Sequence, residues 1–364
     1  MSLIARLLPA APVTTRRGVL RIAVGAMITL PLAGCGRVSL GGPEEYTPPP
    51  PGIDDLYRID LLTLLHRVTA GTDHVMQALD PAAGEPALPA ALTALSAALP
   101  IQRTALLTGA QLERELEAEE DPAPGRTTPP PPADAPTDIA GLLGALEELR
   151  DLAAAAARQV SGSLARPVIA IGAHTAWIGV RLRTAAGTTG ATPAPTPAPT
   201  ADELAPSREV PATDPPSIGA RADYHTVIEQ TQQEEWFAGY LHEVLAARVE
   251  DEARQQHLDQ AELHRTRAEQ LGLIAEEDHA PVVARQAVYA IPGGTLDAEL
   301  AGELPTLLSQ GLLVNHIALV GAAPFERRPL SLAAALTEAE RLAALVDRLE
   351  PLPSLEVEDL SLGG

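Results

Sequence analysis

The stretch VIEQTQQEEWFAGYLHEVL, residues 227–245, repeats apolar or small side chains at steps of three and four residues. This spacing is typical of one face of an amphipathic α-helix. The face consists of Val227, Thr231, Glu234, Ala238, Leu241 and Leu245. Because Glu234 lies inside this stripe, the pattern predicts a bundle helix that carries a carboxylate toward the bundle interior.

Similar periods predict that the rest of the chain is helical. Alternating strand patterns are nearly absent, while Ala and Leu, which favour helices, dominate. The predicted helices are 53–79, 88–117, 138–163 and 166–185 in the first half, and 218–247, 249–272, 296–322 and 329–350 in the second. Asp138 or Thr137 is the expected N-cap of one helix and Pro167 a first-turn residue of another. Pro100 and Pro305 are expected to kink or end their helices.

Three proline-rich stretches divide the chain, since such sequence favours extended, solvated backbone that buries no core. We therefore predict an all-α protein with two four-helix bundles. Aromatic residues make up only 2% of the chain, so both cores are expected to close on small aliphatic side chains. The predicted segments are a signal peptide at 1–34, a tether at 35–52, an N-terminal bundle at 53–186 with a proline-rich insertion at 119–136, a Pro/Thr/Ala-rich linker at 187–217, a second bundle at 218–352 and a tail at 353–364.

The N-terminus carries two export signals in sequence. Arg16 and Arg17 precede an apolar run of about a dozen residues, which is shorter than the roughly 20 that a bilayer span needs. Leu32, Ala33 and Gly34 then precede Cys35, the only cysteine in the 364 residues. The first signal resembles a twin-arginine (Tat) signal and the second a lipobox. An uncleaved anchor or a chance cysteine is the alternative.

The resemblance of these signals implies a lipoprotein that leaves the cell by the Tat pathway. Cys35 would receive a diacylglyceryl group, become the first mature residue and anchor the chain to the outer face of the cytoplasmic membrane. Two acyl chains suffice for stable attachment. Lipidation would also exclude thiol catalysis, and a single cysteine excludes a disulfide within the chain.

The net charge limits the partners of the chain. The formal charge is −22, and removal of residues 1–34 takes away four arginines and no acid, which makes it −26. So acidic a chain is not expected to bind nucleic acid, whose phosphates demand a basic surface. It should gain nothing from anionic lipid headgroups either, so the lipid on Cys35 is the expected contact with the membrane.

The second half carries a set of short motifs: Glu234-Glu235-Trp236 with Tyr240, His264-Arg265-Thr266-Arg267, Tyr289-Ala290-Ile291-Pro292, and Glu303. Through them, residues from about 218 to 352 resemble an actinobacterial ferritin-like family of unknown function. The resemblance implies a four-helix, ferritin-like bundle, often found in secreted or lipid-anchored proteins. It supplies no activity.

A ferritin-like di-iron site takes one Glu from each of two helices and a Glu-x-x-His pair from each of the other two. Glu234 and Glu303 lie in apolar stripes, and His257 and His264 share one helix face. Ala261 stands where the motif needs a glutamate before His264. The last helix has no histidine, and its acids lie off the stripe: Glu338, Glu340 and Asp347. We expect no intact di-iron site, and a single divalent metal ion on Glu234, His257, His264 or Glu303 stays open as the alternative.

The same residues also fit a buried polar network without metal. Glu234 or Glu303 would hydrogen-bond to His264, Tyr240 or Arg267, because buried charges have to be paired. This is the interpretation that the sequence favours.

Two functions follow from these features. The chain has no glycine-rich nucleotide loop, nucleophile elbow or Cys–His arrangement. The favoured function is a non-enzymatic cell-envelope lipoprotein, without cofactor, whose bundles bind another protein or envelope component. The alternative is a metal-binding or redox protein with a reduced ferritin-like site in the second bundle.

Overall fold

The computed structural model describes residues 51–79, 86–120, 130–187, 197–209, 220–291 and 295–355. These residues form nine α-helices and no strand, which confirms the all-α prediction. The helices are α1 (Ile53–Ala78), α2 (Ala87–Leu106), α3 (Gly109–Glu120), α4 (Ile139–Gln159), α5 (Gly162–Ala185), α6 (Ala220–Ala246), α7 (Asp251–Glu277), α8 (Ala298–Ala322) and α9 (Pro329–Leu345), with a 3-10 turn at Phe325–Arg327.

The predicted helix 88–117 is two helices, α2 and α3. The break lies at Thr108, whose Oγ1 accepts a hydrogen bond from the backbone N–H of Gln111 at 3.3 Å. The Gln111 side chain accepts one in return from the backbone N–H of Thr108 at 2.8 Å. This reciprocal arrangement is a capping box, which starts a new helix where apolar periodicity alone shows no interruption.

The other caps and prolines agree with the predictions only in part. Asp138 caps α4 as predicted, because its Oδ1 accepts the Gly141 N–H at 2.8 Å. Pro100 and Pro305, however, lie inside α2 and α8 without ending either helix. Pro167 lies in the second turn of α5, since that helix begins at Gly162.

The most buried helix is α5, which is apolar all round as a central core helix must be. It packs against α2, α4, α8 and α9. The largest core cluster accordingly contains residues from both halves of the chain, among them Leu146, Ile171, Ile317 and Leu336. The described residues from Gly52 onward thus belong to one compact unit, and the two predicted sets of helices share a core along α5.

Helices α6 to α9 form a four-helix arrangement in which α6 packs on α7 and α8, and α8 on α9. Short connections join α6 to α7 and α8 to α9, whereas residues 278–297 separate α7 from α8. The first part of this long connection lies along α6. The Gln232 side chain donates to the Pro281 carbonyl and accepts from the Val283 N–H, both at 3.1 Å. The Trp236 indole N–H donates to the Val283 carbonyl at 3.1 Å.

Part of the predicted linker lies against the helices. Leu204 is buried in the main core cluster. The Gln159 side chain accepts from the backbone N–H groups of Ser207 and Arg208 at 3.1 Å and donates to the Arg208 carbonyl at 2.6 Å. The expectation of a fully solvated linker is therefore wrong for residues 197–209, because one leucine and one buried amide fix this segment. Residues 188–196 and 210–219 lie outside the described residues.

Among the described helices, α8 is long and apolar enough to cross a membrane by length and composition. A core helix of a soluble domain passes the same test, and 56% of the apolar window of α8 is buried inside the fold. Since α8 packs against α5, α6 and α9, we assign it to the core.

Two glycines allow α5 and α8 to approach closely. A Cβ on Gly162 would overlap the backbone carbonyl oxygen of Gly321. Gly162→Ala is expected to force the helices apart and to lower the free energy of unfolding by about 1–3 kcal/mol, a typical cost of overpacking. Gly144→Ala in α4 is the matched control, because its Cβ would meet nothing within 4 Å, and it should stabilise the protein by about 0.5–1 kcal/mol. Equal urea midpoints for the two variants would contradict this close approach.

Candidate functional site

The inward carboxylate of α6 belongs to Glu235 and not to its neighbour Glu234. The Glu235 side chain is fully buried. Its Oε2 lies 2.7 Å from Nδ1 of His264 on α7, and its Oε1 lies 2.7 Å from Nε2 of His316 on α8. One buried glutamate thus joins three helices.

A second buried carboxylate, Glu338 of α9, faces two arginines. Its Oε1 accepts from Nη1 of Arg267 at 2.6 Å, and its Oε2 accepts from Nη1 of Arg341 at 2.9 Å. The same Arg267 nitrogen lies 3.6 Å from Oε1 of Glu235, so this guanidinium bridges both carboxylates. The expectation that the acids of α9 point away from the interior is wrong for Glu338. We call Glu235, His264, Arg267, His316, Glu338 and Arg341 the central network.

The hydrogen bonds determine where the imidazole protons lie. An ionised carboxylate only accepts, so His264 donates from Nδ1 and His316 from Nε2. In neutral His264 the Nε2 lone pair is then free to accept from Nη1 of Arg341, which lies 3.3 Å away. Neutral His264 is therefore satisfied at both ring nitrogens.

The network holds its carboxyls in the charged form. Burial opposes ionisation of Glu235, but His264, the two imidazole hydrogen bonds and Arg267 outweigh it and keep the pKa of this carboxyl well below its usual range. For Glu338, burial is likewise outweighed by Arg341, Arg267 and His264, so its pKa is lowered. Burial also opposes the charge of Arg267, yet the two carboxylates raise its pKa. Two carboxylates and two guanidiniums balance in charge, as groups removed from water require.

This charge balance leaves the centre of α6–α9 without a metal-ligand set. Among the described residues, no group of three or more His, Cys, Asp or Glu side chains is placed to hold a metal ion. Arg267 instead occupies the position between the two carboxylates. A buried polar network thus exists at this position, and two of the predicted residues, His264 and Arg267, belong to it.

Three other predicted site residues lie outside the network. Glu303 is exposed near the start of α8, while the next residue, Leu304, is buried against α6. Tyr240 is partly buried and packs its ring 5.4 Å from the ring of Tyr289. Glu234 is 9% exposed, and the carboxylate that meets His264 and His316 is that of its neighbour Glu235. These positions correct the predicted set of Glu234, Tyr240 and Glu303.

The predicted metal ligand His257 belongs to a second histidine group. Its Nδ1 lies 3.0 Å from Nδ1 of His242 on α6. The His242 ring stacks on His264 with centroids 5.4 Å apart and an interplanar angle of 15°. Burial, followed by the fields of His264, His257 and Arg341, lowers the pKa of His242 to about 3, and burial lowers that of His257.

A small pocket also lies between α4 and α5, outside this region. Its free volume is about 10 Å³, room for about one water molecule and far below the roughly 300 Å³ of the smallest usual ligand sites. We therefore assign it no ligand. It is lined by Leu146, Glu147, Arg150, Thr175, Ala176, Gly179 and Arg183.

Acid is expected to destabilise the protein in two stages. The pKa values of His242 and His257 are lowered by folding, so the unfolded chain binds more protons below about 6.5. The same holds for Glu235 and Glu338 below about 4.5. The folded state is therefore not penalised by these groups above pH 6.5 for the histidines and above pH 4.5 for the carboxyls, and it loses stability as pH falls through these values. The urea midpoint should decline from pH 6.5 downward and more steeply below 4.5. A midpoint that is unchanged between pH 7 and pH 4 would contradict the assignment.

The residues of the export signals are not part of this site. Arg16, Arg17, the Leu32-Ala33-Gly34 run and Cys35 all lie outside the described residues. Export and lipidation thus stay predictions from the sequence.

Residues 228–357 match the model of a family described as a domain of unknown function (DUF4439). The match covers α6 almost from its start, together with α7, α8 and α9, and therefore contains the whole central network. No curated protein and no solved structure matches the chain.

Proposed function

We propose that this chain is a non-enzymatic, exported lipoprotein that acts as a binding scaffold at the outer face of the cytoplasmic membrane. Its partner would be an envelope protein or another envelope component. The proposal that the chain is not an enzyme rests on one observation, the position of Arg267 between Glu235 and Glu338. Two buried carboxylates need a cation between them, and Arg267 supplies that cation in place of a metal ion.

We also propose that α6–α9 have a ferritin-like origin, which the connectivity and the positions of the network residues support. Two helix pairs with short connections and one long crossover are the connectivity of ferritin-like bundles. Glu235 stands on the first helix and His264 on the second, as metal ligands would. On α9, Glu338 and Arg341 are three residues apart, so an arginine takes the position of the histidine in a Glu-x-x-His pair. Guanidinium groups would thus replace the metal ions of such a bundle.

The location of the protein is proposed from the sequence. Arg16 and Arg17 followed by the apolar run and Cys35 support Tat export and a lipid anchor. The acidic mature chain, at a formal charge of −26, supports a body that is held at the membrane by its lipid. Nucleic acid would not be a partner.

Chelation tests the proposal that the centre works without metal. EDTA treatment of the His257→Ala variant should leave its thermal midpoint unchanged, since the central network needs no ion. This variant is used because it separates the central network from the His242–His257 pair. A clear drop of its midpoint on chelation, reversed by added metal, would refute a metal-free centre.

Fractionation tests the anchor. Cys35→Ala should shift the protein from the membrane fraction or leave it as an unprocessed precursor, whereas Ser39→Ala, four residues away, should stay membrane-bound and processed. Processing and membrane attachment of Cys35→Ala that match those of Ser39→Ala would overturn the proposed lipidation.

Crosslinking in intact cells tests the scaffold role. The sequence contains no lysine, so amine-reactive reagents have no side-chain target and a photoreactive residue has to be introduced. Leu273 and Val288 suit this purpose because they are large apolar side chains exposed by 63% and 69%. A discrete adduct that is lost with Cys35→Ala would support an envelope partner. Enzymatic turnover of an envelope component by the purified chain would contradict the non-enzymatic proposal.

A further inference from the structure

The histidine pair at one end of the α6–α7 hairpin adjoins the central network through the stacking of His242 on His264. His242 is 3% exposed, whereas His257 is partly exposed and opens the pair to solvent. The two Nδ1 atoms are 3.0 Å apart and the ring centroids 5.2 Å. Neither ring donates to a carboxylate in the described hydrogen bonds, in contrast to His264 and His316.

The protonation state of the pair suits metal binding. A hydrogen bond between two Nδ1 atoms requires one nitrogen to carry a proton and the other a lone pair, so at least one ring is neutral. Burial lowers the pKa of both rings, and for His242 the neighbouring His264, His257 and Arg341 lower it further, so both rings are neutral near pH 7. Neutral imidazole is the form that ligates transition metals.

The separation of the nitrogens also fits one shared ion. With metal–nitrogen bonds of about 2.0–2.1 Å, two nitrogens 3.0 Å apart subtend an angle of about 90° at the metal. This angle is that of adjacent positions in square-planar or octahedral coordination, which Cu²⁺ and Ni²⁺ adopt. The two Nδ1 atoms face each other in the hydrogen bond, so the rings rotate to turn both lone pairs toward the ion.

Further ligands are within reach of this position. Gln260 lies three residues after His257, on the same face of α7, and its Oε1 is buried without a hydrogen-bond partner among the described residues. An amide oxygen can complete a copper or nickel site. The solvent-exposed side next to His257 leaves room for water ligands.

We propose that His242 and His257 bind one divalent transition-metal ion of the Cu²⁺ or Ni²⁺ class through their Nδ1 atoms. The ring that donates from Nδ1 gives up this proton and takes one from solvent on Nε2, so both rings stay neutral with one proton each on Nε2 and no net proton is released. The ion joins the C-terminal end of α6 to the N-terminal end of α7. The site shares no residue with the central network and adds to the scaffold function proposed above.

Copper titration of the whole chain, prepared without a histidine tag and freed of metal, tests the site. One equivalent of Cu²⁺ should bind, raise the thermal midpoint and give an electron paramagnetic resonance spectrum with nitrogen coupling. His257→Ala should lower the affinity at least about tenfold, since even the loss of a hydrogen-bond partner of a metal ligand costs about 10–100-fold. The exposed His66 supplies the control, and His66→Ala should bind like the unchanged chain.

Two results would overturn the proposal. If His257→Ala binds Cu²⁺ as tightly as His66→Ala does, the pair is not the site. If binding persists in His257→Ala but is lost in a folded Glu235→Gln variant, the metal belongs to the central network, and the metal-free centre fails as well. Failure of the histidine pair alone leaves that centre untouched, because the chelation result there depends on different residues.

Discussion

Glu235→Gln is expected to lower the free energy of unfolding by about 3–5 kcal/mol, the usual cost of breaking a buried ion pair. The glutamine removes one of the two negative charges that balance Arg267 and Arg341. Its amide also has only one acceptor oxygen, while both His264 and His316 donate to this position. At least one imidazole N–H would then face another donor. Urea unfolding at pH 7 measures the loss.

The adjacent glutamate is the natural control for this experiment. Glu234→Gln changes the same residue type on the same helix turn and leaves the two imidazole hydrogen bonds of Glu235 in place, so its cost should be smaller. Adding Arg267→Met to Glu235→Gln restores the charge balance, and the double variant should lose less stability than the sum of the two single losses. Equal losses for the two glutamates would show that the inward carboxylate has been misassigned.

Arg328→Met is the second substitution with a large expected effect, again about 3–5 kcal/mol. The Arg328 guanidinium is buried and donates to the carbonyls of Ala157 and Val160 at the end of α4, at 3.0 and 2.5 Å. It also donates to the Ala323 carbonyl at the end of α8 at 2.9 Å. These carbonyls have no partner within their own helices, and the C-terminal end of a helix favours a cation. Methionine keeps the apolar stem but leaves these buried acceptors unpaired.

Arg327 provides the matched control for Arg328. Its guanidinium is less buried than that of Arg328, since its side chain is 27% exposed, and it pairs with Asp278 and with the exposed Glu277. Arg327→Met should therefore cost clearly less than Arg328→Met. A similar loss for both arginines would mean that Arg328 does not serve the two helix ends.

The helices could be predicted from the sequence because apolar spacing and cap residues act locally. Asp138 shows this for a cap, and the extents of α1, α6 and α8 for the spacing. The break at Thr108 was missed because the signal is a reciprocal bond between Thr108 and Gln111, which leaves the apolar period intact. Apolar spacing therefore predicts where a helix lies better than it predicts where one helix ends and the next begins.

The choice between Glu234 and Glu235 could not be made from one helix. Residues 228, 232, 235, 239 and 242 follow the same three-and-four steps as the stripe that contains Glu234. Both stripes are buried because α7, α8 and the segment after α7 cover α6 on several sides. His242 on the second stripe was the available signal, since it repeats Glu235 after two turns.

His316 and Glu338 were missed for a different reason. The role of each depends on which groups the neighbouring helices bring to it. Glu338 is stable in the interior only because Arg267 of α7 and Arg341 meet it there. Such pairing across helices carries no periodic signal along one sequence.

The packing of α5 against α8 and α9 extends the core beyond the segment that matches the family model. The segment that matches a family, residues 228–357, begins long after α5 has ended. Leu313, Ile317 and Leu336 lie within that segment, yet they belong to the same core cluster as α5. Cut at its family boundary, the segment would present this apolar surface to water. The segment that matches the family model is therefore smaller than the compact unit whose core it shares.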